Sequence, residues 1–386
     1  MSITFAPSKA AILATVASAG LVLSGCSAVG EAGDRVESVA AVATGQVSAR
    51  NASAPPPPVP QTAQTTPPRA SADMQAVLDA LAALDPQPLT SLTPAQARTQ
   101  PSFADAYQRV AQQRGITLKT NAVTTNDYAY GSDDEQFVRV YRPAGTDANS
   151  DLPLVVYYHG GGWVIANVDV YDATPRYLAE AMNAVVVSVE YRHAPEFKFP
   201  AQHEDAAAAY RFALENADAW GADAERLALL GESAGGNLVV ATAMYARDND
   251  LMMPDHVVSV YPIANSSSDL PSRRDSAQAK PLNTAALNWF GYYYKSRPTD
   301  AQDPRINLKA ADLRGLPPTT IINAQADPLR SDGETLAAAL RRAGVMVEQR
   351  VFEGTTHEFF GMGKVVLAAL QAEQYAVRRI QADLDD

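Results

Sequence analysis

The sequence has very little cysteine and an excess of negative charge. Cys26 is the only cysteine among 386 residues, so no disulfide can form within the chain. Lys and Arg number 31 against 43 Asp and Glu, and the formal charge of −12 speaks against nucleic acid as a partner. The apolar run at residues 10–23 is too short to span a bilayer comfortably. With 47% hydrophobic and 19% charged residues, the rest of the composition is that of a globular protein with an acidic surface.

The first 26 residues have the pattern of a bacterial export signal. Lys9 is the only charged residue before Glu31, and the apolar run is followed directly by the tetrapeptide LSGC, which ends at Cys26. The tetrapeptide resembles a lipobox, which implies cleavage before Cys26 and lipidation of its thiol, so that a membrane would hold the protein without a spanning helix. The alternative is an ordinary signal peptide with a chance cysteine. Ser27, by the same resemblance, favours the outer membrane if the cell is Gram-negative.

Residues 1–25 would then be a lipoprotein signal peptide, and residues 26–70 a disordered linker. The linker is rich in Pro, Ala, Ser and Thr, and it contains four consecutive prolines at 55–58. Such a segment cannot bury enough apolar surface to offset its ordering entropy, and its proline half should be extended polyproline II. We interpret it as a spacer between membrane and folded domain. The alternative is a docking peptide for a proline-binding partner.

Residues 71–386 are predicted to form one folded domain. Two helices come first, at 72–84 and 94–113, with Asp73 and Thr93 as candidate caps. Seven short segments rich in β-branched residues follow as predicted strands, at 136–141, 154–158, 184–189, 226–230, 256–261, 319–323 and 346–352. Helical patterns lie between and after them, at 171–182, 202–216, 234–245, 332–343 and 364–384. This alternation predicts an α/β fold with a mostly parallel sheet covered by helices on both faces. The chemistry of such folds sits at the carboxyl ends of the strands.

A serine lies in a tight turn between a predicted strand and a predicted helix. The strand that ends at Leu230 continues into GESAGG, in which Gly231, Ser233 and Gly235 form the G-x-S-x-G pattern of a nucleophile elbow. The turn is so tight that the neighbours of the serine must be very small. Glu232 separates the first glycine from Ser233. The sequence therefore predicts Ser233 as a nucleophile at the top of the sheet.

Three consecutive glycines follow a second strand. His159 is succeeded by Gly160, Gly161 and Gly162, and each glycine carries a large entropic cost on folding. Bare backbone lets amide N–H groups approach an oxyanion, so we expect the amides of Gly161 and Gly162 to converge with that of Ala234. The alternative is a flexible loop. We expect His159 to be structural, with its ring fixing the glycine loop.

Four motifs resemble the hormone-sensitive-lipase-like branch of the α/β-hydrolases. They are HGGGW at 159–163, YRHAPE at 191–196, GESAGGN at 231–237 and DPL at 327–329, and they occur in the order and approximate spacing of that family. The resemblance extends from the strand at 136–141 to the end of the chain. It implies the α/β-hydrolase fold and a helical cap built from residues of about 72–113 and 281–297.

Chain order and the resemblance together suggest the partners of Ser233. In this fold the order is Ser, then Asp or Glu, then His, and the only later histidines are His256 and His357. His256 begins a predicted strand, whereas His357 lies in a loop after the last strand, so His357 is the predicted base. Asp327 is the predicted acid because it follows a strand by a few loop residues. Asp332 is the alternative, although we expect it to cap the next helix.

Such a site requires neither a metal nor an organic cofactor. We expect His193 and His203 to be ordinary loop and surface residues. Two residues depart from the common family pattern: Glu232 replaces the more usual Asp, and Glu358 replaces a small residue after the histidine. The second change is expected to alter the alcohol side of the pocket or its pH response.

The sequence says least about the substrate. Residues 281–297 carry five aromatic side chains, either a pocket wall or core packing: Trp289, Phe290, Tyr292, Tyr293 and Tyr294. By resemblance we expect a small-molecule ester with a short acyl chain, and an acetylated sugar or a xenobiotic ester would fit a protein at the cell surface. Two alternatives are a non-catalytic binding protein on the same fold, and a peptidase or acyltransferase that uses the same residues. The oligomeric state is not predicted.

Overall fold

The computed structural model describes residues 68–384, and an eight-stranded sheet runs through them. The strands are β1 (Val123–Ala129), β2 (Phe137–Pro143), β3 (Leu152–Tyr158), β4 (Val185–Val189), β5 (Ala222–Glu232), β6 (His256–Val260), β7 (Thr319–Ala326) and β8 (Val347–Thr356). Their order across the sheet is β1-β2-β4-β3-β5-β6-β7-β8. The expected signal peptide, Cys26 and most of the expected linker lie outside the described residues.

The sheet is parallel except at one edge. The pairs β1–β2 and β2–β4 are antiparallel, and every other pair from β4 to β8 is parallel. All five residues of β4 and of β6 are buried, as expected for parallel strands that are covered on both faces. The predicted α/β-hydrolase fold with a mostly parallel sheet is therefore confirmed.

Ten α-helices accompany the sheet within residues 68–384. They are α1 (Ala72–Ala82), α2 (Pro94–Ala97), α3 (Phe103–Gln113), α4 (Ala173–Met182), α5 (Ala201–Asn216), α6 (Ala234–Asp248), α7 (Pro271–Asp275), α8 (Thr284–Tyr294), α9 (Arg330–Arg342) and α10 (Leu367–Leu384). Two hydrophobic clusters contain their buried residues. One joins α5, α6, α8 and α9 to the sheet, and the other joins α1, α3, α4 and α10 to it. Alternate residues of β3 belong to alternate clusters, because successive side chains of a strand point to opposite faces.

The structure differs from the sequence prediction mainly near the N-terminus. Strand β1 was not predicted, because six of its seven residues are exposed and it shows little apolar alternation. The helix predicted at 94–113 is two helices, and Ser102 caps the second by accepting a hydrogen bond from the Asp105 N–H. Thr93 caps α2 as predicted. Asp73 does not cap α1; it lies in the first turn and accepts a hydrogen bond from the Leu367 N–H at 2.7 Å, which fastens α1 to α10.

No helix in this described part of the chain combines the length and apolar character needed to cross a bilayer.

Candidate active site

Ser233 occupies a strained turn between β5 and α6. Its backbone has φ 57° and ψ −111°, a region that residues other than glycine rarely adopt and that costs about 1–3 kcal/mol. The Ser233 N–H donates to the Val260 carbonyl at 2.9 Å, which holds the turn against β6. A Cβ at Gly235 would lie 1.9 Å from the Tyr158 carbonyl oxygen, so a larger residue could not stand there. The glycine is needed because α6 starts directly against β3.

The three predicted side chains lie in one hydrogen-bonded row. Ser233 Oγ is 3.0 Å from His357 Nε2, and His357 Nδ1 is 2.8 Å from Asp327 Oδ2. His357 follows β8 and Asp327 follows β7, so both come from the carboxyl ends of neighbouring strands. All three residues are at most 4% exposed. The fold therefore brings together a hydroxyl, an imidazole and a carboxylate that are far apart in sequence.

Asp327 sets both the protonation and the orientation of the imidazole. An ionised carboxylate only accepts hydrogen bonds, so His357 Nδ1 carries the hydrogen and Nε2 presents a lone pair to Ser233. Burial, the largest single influence, lowers the pKa of His357, but the charge and hydrogen bond of Asp327 together with the charges of Glu358 and Glu232 outweigh it, so the pKa is raised. The Leu329 N–H donates to Asp327 Oδ1 at 2.8 Å and fixes the carboxylate. In this arrangement His357 Nε2 can accept the proton of Ser233, and the Asp327 carboxylate stabilises the resulting imidazolium cation.

The glycine loop requires glycine for two separate reasons. Gly161 and Gly162 have φ values of 95° and 61°, which side-chain-bearing residues rarely adopt. A Cβ would lie 2.0 Å from the Ile165 carbonyl oxygen at Gly161 and 2.3 Å from the Phe290 ring at Gly162. Within residues 68–384 the N–H groups of these two glycines donate to no protein acceptor. Both glycines line the same cavity as Ser233, so their amides are available to a ligand there.

Glu232 is a buried carboxyl beneath the elbow. It accepts hydrogen bonds from the hydroxyls of Tyr157 and Thr174, each at 2.7 Å, and from the hydroxyl of Tyr261. Burial raises its pKa to about 7, although these three bonds oppose the change. Glu232 thus connects the elbow to β3, α4 and the end of β6. Burial therefore makes Glu232 easier to protonate than an exposed glutamate.

Glu358 faces the site from the residue after His357. It has a positive φ of 69°, and its Oε2 accepts a hydrogen bond from the Tyr171 hydroxyl at 2.6 Å. Its Oε1 lies 3.8 Å from His357 Nε2. The negative charge adds to the raised pKa of His357. Sequence reasoning missed Tyr171 because it appeared only as the first residue of a predicted helix.

Three other predictions about titratable side chains need correction. His203 is 6% exposed within α5 and His193 is 3% exposed, so neither is a surface residue. The His203 ring lies 3.0 Å from the buried Asn237 side chain, and the His193 ring lies 2.9 Å from the partly exposed Glu135 carboxylate. Asp332 does not cap α9, which begins at Arg330. It is fully buried, accepts hydrogen bonds from two backbone N–H groups of the loop after β6 and pairs with Arg273 at 2.9 Å.

His256 pairs with Asp383, and the two lie in a separate part of the molecule from Ser233.

A cavity of about 1110 Å³ lies above Ser233. Residues of α1, of the segment between α1 and α3, and of α8 line it on the side away from the sheet. Of the five aromatic residues at 289–294, only Phe290 lines the cavity, whereas Trp289, Tyr293 and Tyr294 are buried in the core. Arg98 fixes the N-terminal segment over the site by donating to the Val164 carbonyl at 2.8 Å.

Known proteins are similar to this chain in sequence and in fold. Residues 155–361 match a family described as alpha/beta hydrolase fold. An ethyl acetate hydrolase of Pseudomonas putida is 34% identical over 249 residues, which are 64% of this chain and 78% of the relative. The carboxylesterase NlhH of Mycobacterium tuberculosis is 40% identical over 242 residues, 61% of this chain and 74% of the relative. A solved esterase of Pyrobaculum calidifontis superposes with a TM-score of 0.71 at 33% identity, covering 81% of this chain and 98% of that chain.

The chain therefore belongs to the alpha/beta hydrolase family, in its hormone-sensitive-lipase-like branch. Within that family it is an enzyme, a carboxylic ester hydrolase.

Proposed function

We propose that the protein is a serine carboxylesterase that hydrolyses esters of short acyl chains, with Ser233, His357 and Asp327 as its catalytic residues. The observation that carries this proposal is the continuous hydrogen-bonded row from Ser233 Oγ to the Asp327 carboxylate, at 3.0 and 2.8 Å. The row opens into a cavity, where a bound ester can reach the serine. A non-catalytic binding protein would have no need of an intact row.

The first half of the reaction forms an acyl-enzyme. His357 Nε2 takes the proton of Ser233 as Oγ attacks the ester carbonyl, and the negative charge collects on the carbonyl oxygen. The N–H groups of Gly161, Gly162 and Ala234 stabilise that oxyanion, with about 3–4 kcal/mol from each well-placed donor. The imidazolium then gives its proton to the departing alcohol, and Ser233 keeps the acyl group.

The second half returns the free enzyme. Water takes the place of the alcohol, and His357 Nε2 removes a proton from it as it attacks the acyl carbon. The same three N–H groups stabilise the second oxyanion. Collapse releases the carboxylic acid, and the proton on His357 goes back to Ser233 Oγ. Asp327 remains ionised throughout and stabilises the imidazolium in both halves.

Two observations support a short acyl chain. Phe290 lies against Gly162, since a Cβ added to Gly162 would be 2.3 Å from the Phe290 ring. The ring limits the space beside the glycine loop. The Pseudomonas putida relative is named for hydrolysis of ethyl acetate, an ester with a two-carbon acyl group. We therefore expect small acyl groups to be preferred over the long chains of a triglyceride.

Hydrolysis of p-nitrophenyl esters from acetate to palmitate by the full-length protein tests the proposal. We expect activity to peak at short chains and to fall at least about 10⁴-fold in Ser233→Ala and in His357→Ala. Ser267→Ala is the matched control, because Ser267 belongs to the loop after β6 and does not line the cavity. No hydrolysis of any ester by the folded protein would move the binding-protein alternative forward. Product analysis with added alcohols and peptides separates an acyltransferase or peptidase.

We also propose that the protein is an exported lipoprotein held at the cell envelope through Cys26, with residues 26–70 as a spacer. The LSGC tetrapeptide after the apolar run of residues 10–23 supports this. Metabolic labelling with a radioactive fatty acid should mark the wild type and not Cys26→Ala. A labelled Cys26→Ala variant, or an unlabelled wild type, would contradict the anchor.

A further inference from the structure

A second group of buried ionisable side chains lies behind the glycine loop. It consists of His159, at the end of β3, together with Glu190 and His193, which follow β4. His159 Nε2 is 3.8 Å from Glu190 Oε2, and His193 Nε2 is 3.8 Å from Glu190 Oε1. One ligand atom from each residue lies within 4.8 Å of the other two. None of the three is more than 3% exposed.

The outer nitrogen of each imidazole is already a donor. His159 Nδ1 lies 2.8 Å from the Gly160 carbonyl oxygen, which only accepts, so Nδ1 carries the hydrogen. His193 Nδ1 lies 2.9 Å from a carboxylate oxygen of Glu135, so the same holds there. The other carboxylate oxygen of Glu135 accepts a hydrogen bond from the backbone N–H of His193. Both Nε2 atoms therefore present lone pairs towards Glu190.

The two Nε2 atoms that face Glu190 accept no hydrogen bond within the described part of the chain. Among residues 68–384, neither His159 Nε2 nor His193 Nε2 has a hydrogen-bond partner, and both atoms are buried. Two lone pairs and a carboxylate face one another, and such groups repel unless something positive or hydrogen-donating lies between them. A single proton on the Glu190 carboxyl group could satisfy only one of the two nitrogens.

We propose that His159 Nε2, His193 Nε2 and the Glu190 carboxylate bind one divalent transition-metal ion, with Zn²⁺ as the best match to two imidazoles and a carboxylate. Ligand distances of about 2.0–2.2 Å around a tetrahedral ion place ligand atoms about 3.3–3.6 Å apart. The two N···O separations of 3.8 Å involve different oxygens of Glu190, and the three ligand atoms lie within 4.8 Å of one another, so binding requires the three side chains to move together by up to about 1.5 Å between the widest pair. Three protein ligands leave a fourth position for water.

The surroundings also match those of a metal site. In metal-binding histidines the N–H of the second ring nitrogen usually donates a hydrogen bond to a carboxylate or a backbone carbonyl, as in His193 to Glu135 and His159 to Gly160. With Glu190 ionised, as it would be when bound to the ion, Glu190 and Glu135 together supply two negative charges, which balance a divalent cation. The Glu135 side chain is 37% exposed, so one partner of this buried group reaches solvent. The Val168 N–H, at 2.8 Å from Glu190 Oε2, fixes the carboxylate.

The proposed ion has a structural role. It would tie His159, the residue before the three glycines, to the segment after β4 and so hold the glycine loop. Mg²⁺ prefers an octahedral shell of oxygen ligands, so this site should discriminate against it.

The test uses the full-length, untagged protein, treated with a chelator and then exposed to Zn²⁺, Co²⁺ or Mg²⁺ before gel filtration. Metal content is measured by plasma mass spectrometry, and thermal unfolding by circular dichroism. We expect about one Zn²⁺ per chain and a Tm rise of about 5 °C at a free concentration one hundred times Kd, with no response to Mg²⁺. His193→Leu and Glu190→Gln should lose at least about 0.8 equivalents. Glu196→Gln, a change of an exposed carboxylate in the same segment, should bind like the wild type.

Less than about 0.1 equivalent of Zn²⁺ in the wild type would overturn the proposal. The proposal would also be overturned if His193→Leu and Glu190→Gln bound as much Zn²⁺ as the wild type. A Zn²⁺ X-ray absorption spectrum of the wild type gives a second test that does not depend on the folding of any variant. Two imidazoles and one carboxylate in the fitted shell support the site. A shell without two imidazoles contradicts it.

Discussion

Replacing Asp327 by Asn changes the hydrogen bonding of the imidazole without changing its surroundings. The Asn oxygen can keep the bond from the Leu329 N–H, now 2.8 Å from Asp327 Oδ1. The amide nitrogen then faces His357 Nδ1, which is 2.8 Å from the carboxylate in the wild type. Because the amide nitrogen donates, Nδ1 must accept, and the imidazole hydrogen moves to Nε2. Nε2 can then no longer take the proton of Ser233.

The expected loss is large. A triad with this substitution and intact geometry loses about 10⁴-fold in kcat, which corresponds to about 5 kcal/mol in the barrier. The assay is kcat and KM for p-nitrophenyl acetate between pH 6 and pH 9, with circular dichroism to establish folding. We expect kcat to fall and KM to change little, because Asp327 acts on the transition state rather than on substrate binding.

Asp332→Asn is the matched control, since the two aspartates are near neighbours in sequence and both are buried. The Asp332 carboxylate accepts hydrogen bonds from two backbone N–H groups and pairs with Arg273. Removing its charge should therefore lower Tm, while kcat changes by less than about tenfold. The reasoning is refuted if folded Asp327→Asn keeps more than about a tenth of wild-type kcat. It is also refuted if the Asp332 variant, still folded, loses as much activity as the Asp327 variant.

Four further predictions follow from individual contacts. Gly162→Ala should lower kcat about 10²–10³-fold, because φ is 61° and the new Cβ would meet the Phe290 ring; a variant with wild-type kcat would argue against an oxyanion role. Glu358→Gln removes a charge that raises the His357 pKa, so the acidic limb of kcat/KM should move to lower pH, and a move to higher pH would contradict this. Phe290→Ala should shift the preferred p-nitrophenyl ester to a longer acyl chain, whereas an unchanged profile would remove Phe290 from the acyl site. Burial raises the Glu373 pKa to about 8 from 4.5, so the contribution of its neutral form to stability, a few kcal/mol, is fully present below pH 4.5 and is lost as pH rises through 8. The Tm of Glu373→Gln should therefore fall less between pH 5 and pH 9 than the Tm of the wild type. Parallel curves of Tm against pH for the two proteins would contradict the shift.

The sequence predicted the sheet and the row of three side chains because each rests on a local pattern. Short β-branched runs predict buried parallel strands, and Gly231, Ser233 and Gly235 permit only a tight strand-to-helix turn. His357 and Asp327 were suggested by their positions after strand ends in the expected chain order, together with the family resemblance of the motifs around them. These features need no knowledge of distant contacts.

Other features depend on contacts that no local pattern carries. β1 is an exposed edge strand recognisable only by its pairing with β2. Asp332 looked like a helix cap, but its partners are 59 to 68 residues away in sequence. His193 resembled a loop residue, and only the packing of β3 against β4 places it beside His159 and Glu190.

The most direct test of the central claim is covalent labelling of the full-length protein with a p-nitrophenyl alkylphosphonate, a reagent that stays on an activated serine. Intact mass spectrometry, peptide mapping and released p-nitrophenol are measured on the same sample. We predict one phosphonyl group and one p-nitrophenol per chain, located on Ser233, and no label on Ser233→Ala. A folded wild-type protein that takes up no phosphonate, or takes it up at another residue, would contradict the assignment of Ser233 as the nucleophile.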